Sequence, residues 1–383
     1  MQASPKNEVA DVFRLLGDAV EEMGLHVHQL KTIRAIKICR TKELGGHVDA
    51  CMDCGSVRVS YNSCRNRHCP KCQGHKREAW IQKREQELLP VAYFHVVFTL
   101  PSELNQLCLH KPKEVYDALF ESAWQTIGQF GKTKHVQLGM IDILHTWGQN
   151  LSLHPHLHCI IAGGGVNKNG QFEKIRADPE VSGQVGKYLF SVKALSKVFR
   201  AKMIASLRKR NIEDKSLFDL LFTKNWVVYA KRPFGNALSV IEYLGRYTHK
   251  VAIGNSRIKN ITQETVTFAY KDYKQDGVQK EMTLTLKEFT RRFAQHILPH
   301  RFVRIRQYGI LSSTWKRKKL KDLQAQLHVK IESKIIKTKL HTCPCCKTGT
   351  MVMIDVFGKR GPPEKYLLVL AQQAEAKNNA CEK

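Results

Sequence analysis

Three things are scarce in these 383 residues. No run of ~18 apolar residues occurs, the length a helix needs to cross a bilayer, so no membrane span is expected. The N-terminus, MQASPKNEVADVFRLLG, lacks a basic stretch followed by an apolar block, so no export leader is expected and the cytoplasm is the expected compartment. Acidic residues are few: 34 Asp and Glu stand against 62 Lys and Arg, a formal net charge of +28. A small acidic ligand does not require so strong a field. A long polyanion does, which points to nucleic acid and, in a cell, to the nucleoid. No self-similarity at solenoid periods is present.

Cysteine, by contrast, is plentiful, and its placement matters more than its count of 12. Five cysteines fall between Cys51 and Cys72, and three more between Cys343 and Cys346. Paired CxxC motifs in an unexported chain read as metal ligands in a reducing compartment. Cys51-x2-Cys54 and Cys69-x2-Cys72 together supply four thiolates, the tetrahedral shell of structural zinc. Cys64, His47, His68 and His75 lie in the same segment as substitutes or as ligands of a second ion. Cys343-Pro-Cys345-Cys346 is half of such a site, with His341 or Cys381 as candidate partners.

Helical spacing covers 8–44, 112–130, 187–222 and 287–297. Strands are expected at 92–100, 137–147, 154–162, 226–230 and in short pieces between 250 and 286. Helices and strands mix without a regular βαβ alternation. The expected class is therefore α+β with an antiparallel sheet, beside an N-terminal Cys-rich segment that reads as zinc-binding. Three regions follow: 1–88 helical and zinc-binding, 89–300 the main domain, and 301–383 a basic C-terminal region. Residues 301–340 carry 12 Lys and Arg against 2 acids, with Lys316, Arg317, Lys318 and Lys319 as candidate DNA contacts.

His154-Pro-His156-Leu-His158 puts histidines at alternate positions, on one face of a strand. Alone, HxH also describes a pair of hydrogen-bonded histidines. Beside so basic a composition it suits a divalent ion that needs open coordination positions. Tyr243 and Tyr247 stand four apart in ALSVIEYLGRYT, on one helical face. They could be a packed amphipathic edge, or two phenols projecting over a metal-bound phosphate. A phosphotyrosine ester conserves the energy of a broken phosphodiester, so such a pair could hold or exchange two strands.

The segments CMDCGSVRVSYNSCRNRHCPKCQGH, FHVVFTLP, LHTWGQNLSLHPHLHCIIAGGG and RPFGNALSVIEYLGRYTHKVAIGNSRI stand in an order that resembles the rolling-circle transposases of the insertion-sequence family numbered ninety-one, within the HUH endonuclease superfamily. The resemblance covers roughly residues 40–260. It implies a central antiparallel sheet flanked by helices, beside an N-terminal Cys-rich zinc-binding domain, and an enzyme that nicks and rejoins single-stranded transposon ends through a 5′-phosphotyrosine. His156 and His158 would bind Mg²⁺ or Mn²⁺, Tyr243 and Tyr247 would be the nucleophiles, and zinc would be structural. His145, on the partner strand, is the expected third ligand, with Gln149, His154 and His249 as competitors. A homo-oligomer is a possible assembly. A plasmid replication initiator or relaxase would share this chemistry, and a non-catalytic zinc protein would bind DNA without nicking it.

Overall fold

The structure, a computed structural model, describes residues 7–72, 80, 81, 83–175, 189–230, 234, 239, 240, 243, 245, 250–329 and 341–381. Its centre is a six-stranded antiparallel sheet built from β3 (Tyr93–Thr99), β4 (Gln137–Trp147), β5 (Leu153–Val166), β6 (Phe172–Lys174), β7 (Val228–Ala230) and β11 (Ile305–Gly309). The order is β11-β4-β5-β3-β7, with β6 paired to β5. The sequence of β3 to β5 is almost continuously apolar because both faces are covered.

Alternation along each strand sorts the side chains. On one face Phe94, Val96, Phe98, Met140, Leu144, Leu157 and Cys159 join the main core, under the helices Pro112–Thr133 and Val192–Arg208. The opposite face presents Tyr93, Ile141, Ile143, Ile160 and Ala162 to a second core. That core includes Leu88, Leu89, Val240 and Leu323, with the partly buried Tyr243 packed against it.

A second sheet, β8 (Ile258–Ile261), β9 (Thr265–Asp272) and β10 (Val278–Thr285), shares a core with the helices Val9–Leu16, Val27–Lys37 and Leu286–Gln295. No strand forms at 250–253, where a strand was expected. The third sheet joins β1 (Gly46–Cys51) to β2 (Val57–Tyr61) on one side and to β12 (Met351–Phe357) on the other.

Two sets of contacts cross the bounds of these regions. The C-terminal region is not a layer of its own: Ile305–Gly309 pairs with Met140 and its neighbours in the central sheet, and Met351–Phe357 pairs with β1. The N-terminal helices pack on β8–β10 through Phe13 and Phe293, whose rings lie 5.3 Å apart, rather than on the zinc segment alone. Helical periodicity announces an apolar face but not which distant face will cover it. Among the described residues, no helix is long and apolar enough to cross a membrane.

Candidate active site and cysteine shells

The histidines are placed by strand register. His145 lies directly opposite His156 across the β4–β5 ladder, and Ile143 opposite His158. All three imidazoles therefore share one face of the sheet. Their ligand atoms lie within 4.8 Å of one another. The turn joining the two strands is held by donors from the neighbouring unit. Arg257 donates to the Gln149 carbonyl and Arg292 to the Asn150 carbonyl, while His296 Nε2 lies 3.2 Å from the Leu151 carbonyl oxygen.

His156 Nδ1 donates to the His154 carbonyl at 2.7 Å, which fixes the tautomer and leaves the lone pair on Nε2. Burial pushes the His156 pKa down to about 4. Burial, followed by the neighbouring His145, His156 and His95, holds His158 well below its ordinary value. Lys250 adds a cationic charge that acts on both His156 and His158. These two imidazoles are neutral at physiological pH, the state a metal requires. The donor set thus fits a divalent ion. His154 lies outside the group that meets at one point.

Tyr243 reaches this cluster from the helical residues above the sheet. Its hydroxyl lies 2.6 Å from His95 Nε2 and 3.0 Å from His158 Nδ1, and those two nitrogens are 3.0 Å apart. The His95 and His158 rings stack with centroids 5.3 Å apart. His95 went unnoticed in the sequence. Its one signal was an ionisable residue in the middle of the apolar strand AYFHVVFTL. Tyr247 and His249 lie outside the described residues.

The cysteines do not gather as the spacing suggested. Cys51 and Cys54 meet Cys343 and Cys346, whereas Cys69 and Cys72 meet Cys39 and Cys64. The single shell expected from Cys51, Cys54, Cys69 and Cys72 is therefore two shells, each with all four ligand atoms within 4.8 Å. The reason is topological. Cys51 and Cys54 turn at the end of β1, next to β12, while Cys64 to Cys72 fold back to Cys39, just beyond the helix Val27–Lys37. In that second group Cys39 Sγ lies 3.3 Å from Cys72 Sγ, and the Cys64 N–H points at Cys39 Sγ from 3.5 Å. Cys39 belongs to no local CxxC pair, so spacing alone could not find it. The histidines offered as substitutes stand outside both groups: His47 lies 3.7 Å from the Asp49 carboxylate, and His68 is buried beside Arg67. His75 is outside the described residues, as is the Cys381 side chain.

The basic helix Ser313–Gln326 divides its charges. Lys316 is turned inward, with 7% of its side chain exposed, and pairs with Glu87 and with Gln307 at 2.9 Å. Its ammonium is thus engaged within the fold. Arg317, Lys318 and Lys319 are exposed.

Comparison with known proteins gives first a class. A family model described as "Transposase zinc-binding domain" matches residues 12–100, and one described as "Putative transposase" matches residues 139–319. The putative transposase y4qJ of Sinorhizobium fredii (strain NBRC 101917 / NGR234) is 37% identical over 394 aligned residues, covering 93% of this chain and 97% of its own. The transposase for insertion sequence element IS801 of Pseudomonas savastanoi pv. phaseolicola is 28% identical over 302, covering 77% and 73%. The chain belongs to the IS91 family of insertion-sequence transposases. That makes it a DNA strand-transfer enzyme with a structural zinc module, and Cys39, Cys64, Cys69 and Cys72 all fall within the zinc-binding match. No solved structure matches the chain.

Proposed function

We propose that this transposase nicks and rejoins single-stranded DNA at transposon ends through a 5′-phosphotyrosine, in the manner of rolling-circle transposition by HUH enzymes. The observation that carries the reading is the Tyr243 phenol in hydrogen-bond contact with a cluster of buried histidines. A phenol has a pKa near 10 and is a poor nucleophile unless a base or metal assists it.

Tyr243 Oη forms the new bond to phosphorus while the bond from phosphorus to the 3′ oxygen breaks. His95 Nε2, 2.6 Å away, takes the phenolic proton, and the departing 3′ oxygen takes one from solvent. A Mg²⁺ or Mn²⁺ ion held by His145, His156 and His158 would polarise the scissile phosphate. Of the two ions, an all-imidazole donor set favours Mn²⁺. Lys250 adds positive potential where the phosphate arrives. Tyr247, four residues on, would carry the second strand end. Arg317, Lys318 and Lys319 would hold the DNA backbone.

The test is adduct mapping with a 3′-labelled single-stranded oligonucleotide spanning an element end, because a 5′-phosphotyrosine retains the 3′-side fragment. Wild-type protein should yield one nucleotide-bearing peptide containing Tyr243 or Tyr247. Tyr243→Phe combined with Tyr247→Phe should stay folded, bind DNA and form no adduct. Attachment to a serine, or to a tyrosine outside this pair, overturns the assignment.

A further inference from the structure

The zinc-binding match ends at residue 100, yet one of the two cysteine shells takes half its ligands from residues 343 and 346. We propose that Cys51, Cys54, Cys343 and Cys346 bind a second structural zinc ion, which clasps the end of the chain to β1. The proposal is independent of the nicking reading.

The two halves of this shell are the same turn. In Cys51-x2-Cys54-Gly55 the Gly55 N–H donates to the Cys51 carbonyl at 3.0 Å, and in Cys343-x2-Cys346-Lys347 the Lys347 N–H donates to the Cys343 carbonyl at 3.0 Å. Each turn closes on a left-handed residue, Gly55 at φ 68° and Lys347 at φ 62°. Lysine rarely adopts that conformation, so the turn is imposed by its context rather than by local preference.

The turns face each other sulfur to sulfur. Cys51 Sγ lies 3.8 Å from Cys346 Sγ, and Cys54 Sγ lies 3.7 Å from Cys343 Sγ. Four thiolates about 2.3 Å from one tetrahedral ion stand about 3.8 Å apart. A disulfide needs about 2.05 Å. Backbone donors point at the C-terminal sulfurs: Cys345 N–H at 3.3 Å from Cys343 Sγ and Gly349 N–H at 3.2 Å from Cys346 Sγ. Such donors stabilise thiolate charge. Gly349 is required by the approach, since a Cβ there would stand 2.5 Å from Cys51 Sγ. Cys345 is exposed and is the spacer, not a ligand.

Beyond the β1–β12 ladder, little apolar packing holds the junction together. Its buried apolar cluster is Cys51, Cys343 and Met351, with Cys346 packed against it. So small a core leaves the metal to supply the holding energy. Four thiolates close the shell and leave no position for chemistry. The consequence is a zinc module assembled from both ends of the chain. Cys54 and Cys343 are 289 positions apart, so the clasp closes only after the whole segment between them has been made.

The test counts zinc in full-length protein purified under reducing conditions. Native mass spectrometry should give two zinc ions per wild-type chain, one for Cys343→Ser combined with Cys346→Ser, and two for Cys345→Ser. Hydrogen exchange in the double variant should rise across 46–51 and 343–357 while 137–166 keeps its protection. If the double variant does not fold, titrating wild type with a thiol-modifying mercurial decides the matter, because two tetrathiolate ions are released by eight thiols. One zinc in wild type, two retained in the double variant, or a disulfide among these four cysteines overturns the proposal.

Discussion

The cysteine shells and the histidine face are two ways of preparing donor atoms, and they invert cause and effect. At β1, β2 and β12 the donors come from exposed turns around a minimal core, so the ion would hold the fold. At β3, β4 and β5 the donors stand on strands buried on both faces, so the fold holds the site. A closed shell of thiolates suits structure. Three imidazoles beside a phenol leave room for a substrate oxygen.

The widest separation between the two regions should come from paired substitutions. His158→Ala should reduce nicking about 10³-fold or more while leaving thermal unfolding and DNA binding close to wild type, because binding is mostly phosphate electrostatics. Cys69→Ser should do the reverse to structure. Structural zinc contributes about 10–16 kcal/mol in small domains, so residues 39–72 should lose exchange protection while β3–β5 retain theirs. If His158→Ala unfolds the protein, or Cys69→Ser leaves both zinc ions bound, the contrast fails.

A smaller effect is expected for His145→Ala. Two ligands remain, so nicking should fall and be partly restored by raising Mn²⁺. A metal-response curve identical to wild type would remove His145 from the ligand set and return attention to Gln149 or His154.

The least effect is on stability against pH. His296 is fully buried, with Nδ1 3.2 Å from Thr146 Oγ1 and Nε2 3.2 Å from the Leu151 carbonyl oxygen. Burial lowers its pKa to about 4, against an unfolded value of about 6.5. The unfolded state therefore binds the extra proton first as pH falls. The stabilisation is present above about pH 6.5 and is lost toward pH 4, with a slope of about 1.4 kcal/mol per unit. His296→Gln should flatten that slope by one proton's worth in denaturation curves measured between those pH values. An unchanged slope would show that His296 is not neutral in the fold.

Much of the histidine face was legible because it is local. Alternation put His156 and His158 on one side of a strand, and the short turn GQNLSL implied the hairpin that brings His145 across. His95 was not legible. It reaches the cluster from β3, 63 positions before His158, and only strand order makes them neighbours. The setting of Lys316 was not legible for the opposite reason. A run of basic residues looks uniform in sequence, but a helix turns successive side chains to different environments, and Lys316 meets Glu87.

The sequence by itself determined which atoms are available: thiolates in CxxC turns, alternating imidazoles, a phenol pair at helical spacing, and a basic charge that calls for a polyanion. It also determined the α+β class through periodicity. Only the tertiary structure decided which donors meet. A CxxC turn supplies two thiolates wherever it folds, but four-coordination needs two such halves, and their pairing depends on which strands lie side by side. Once β12 lies against β1, Cys343 and Cys346 stand beside Cys51 and Cys54, while Cys69 and Cys72 take Cys39 and Cys64. Local geometry is written into short segments, whereas the choice of partner follows from cores and sheet edges spread over the whole chain.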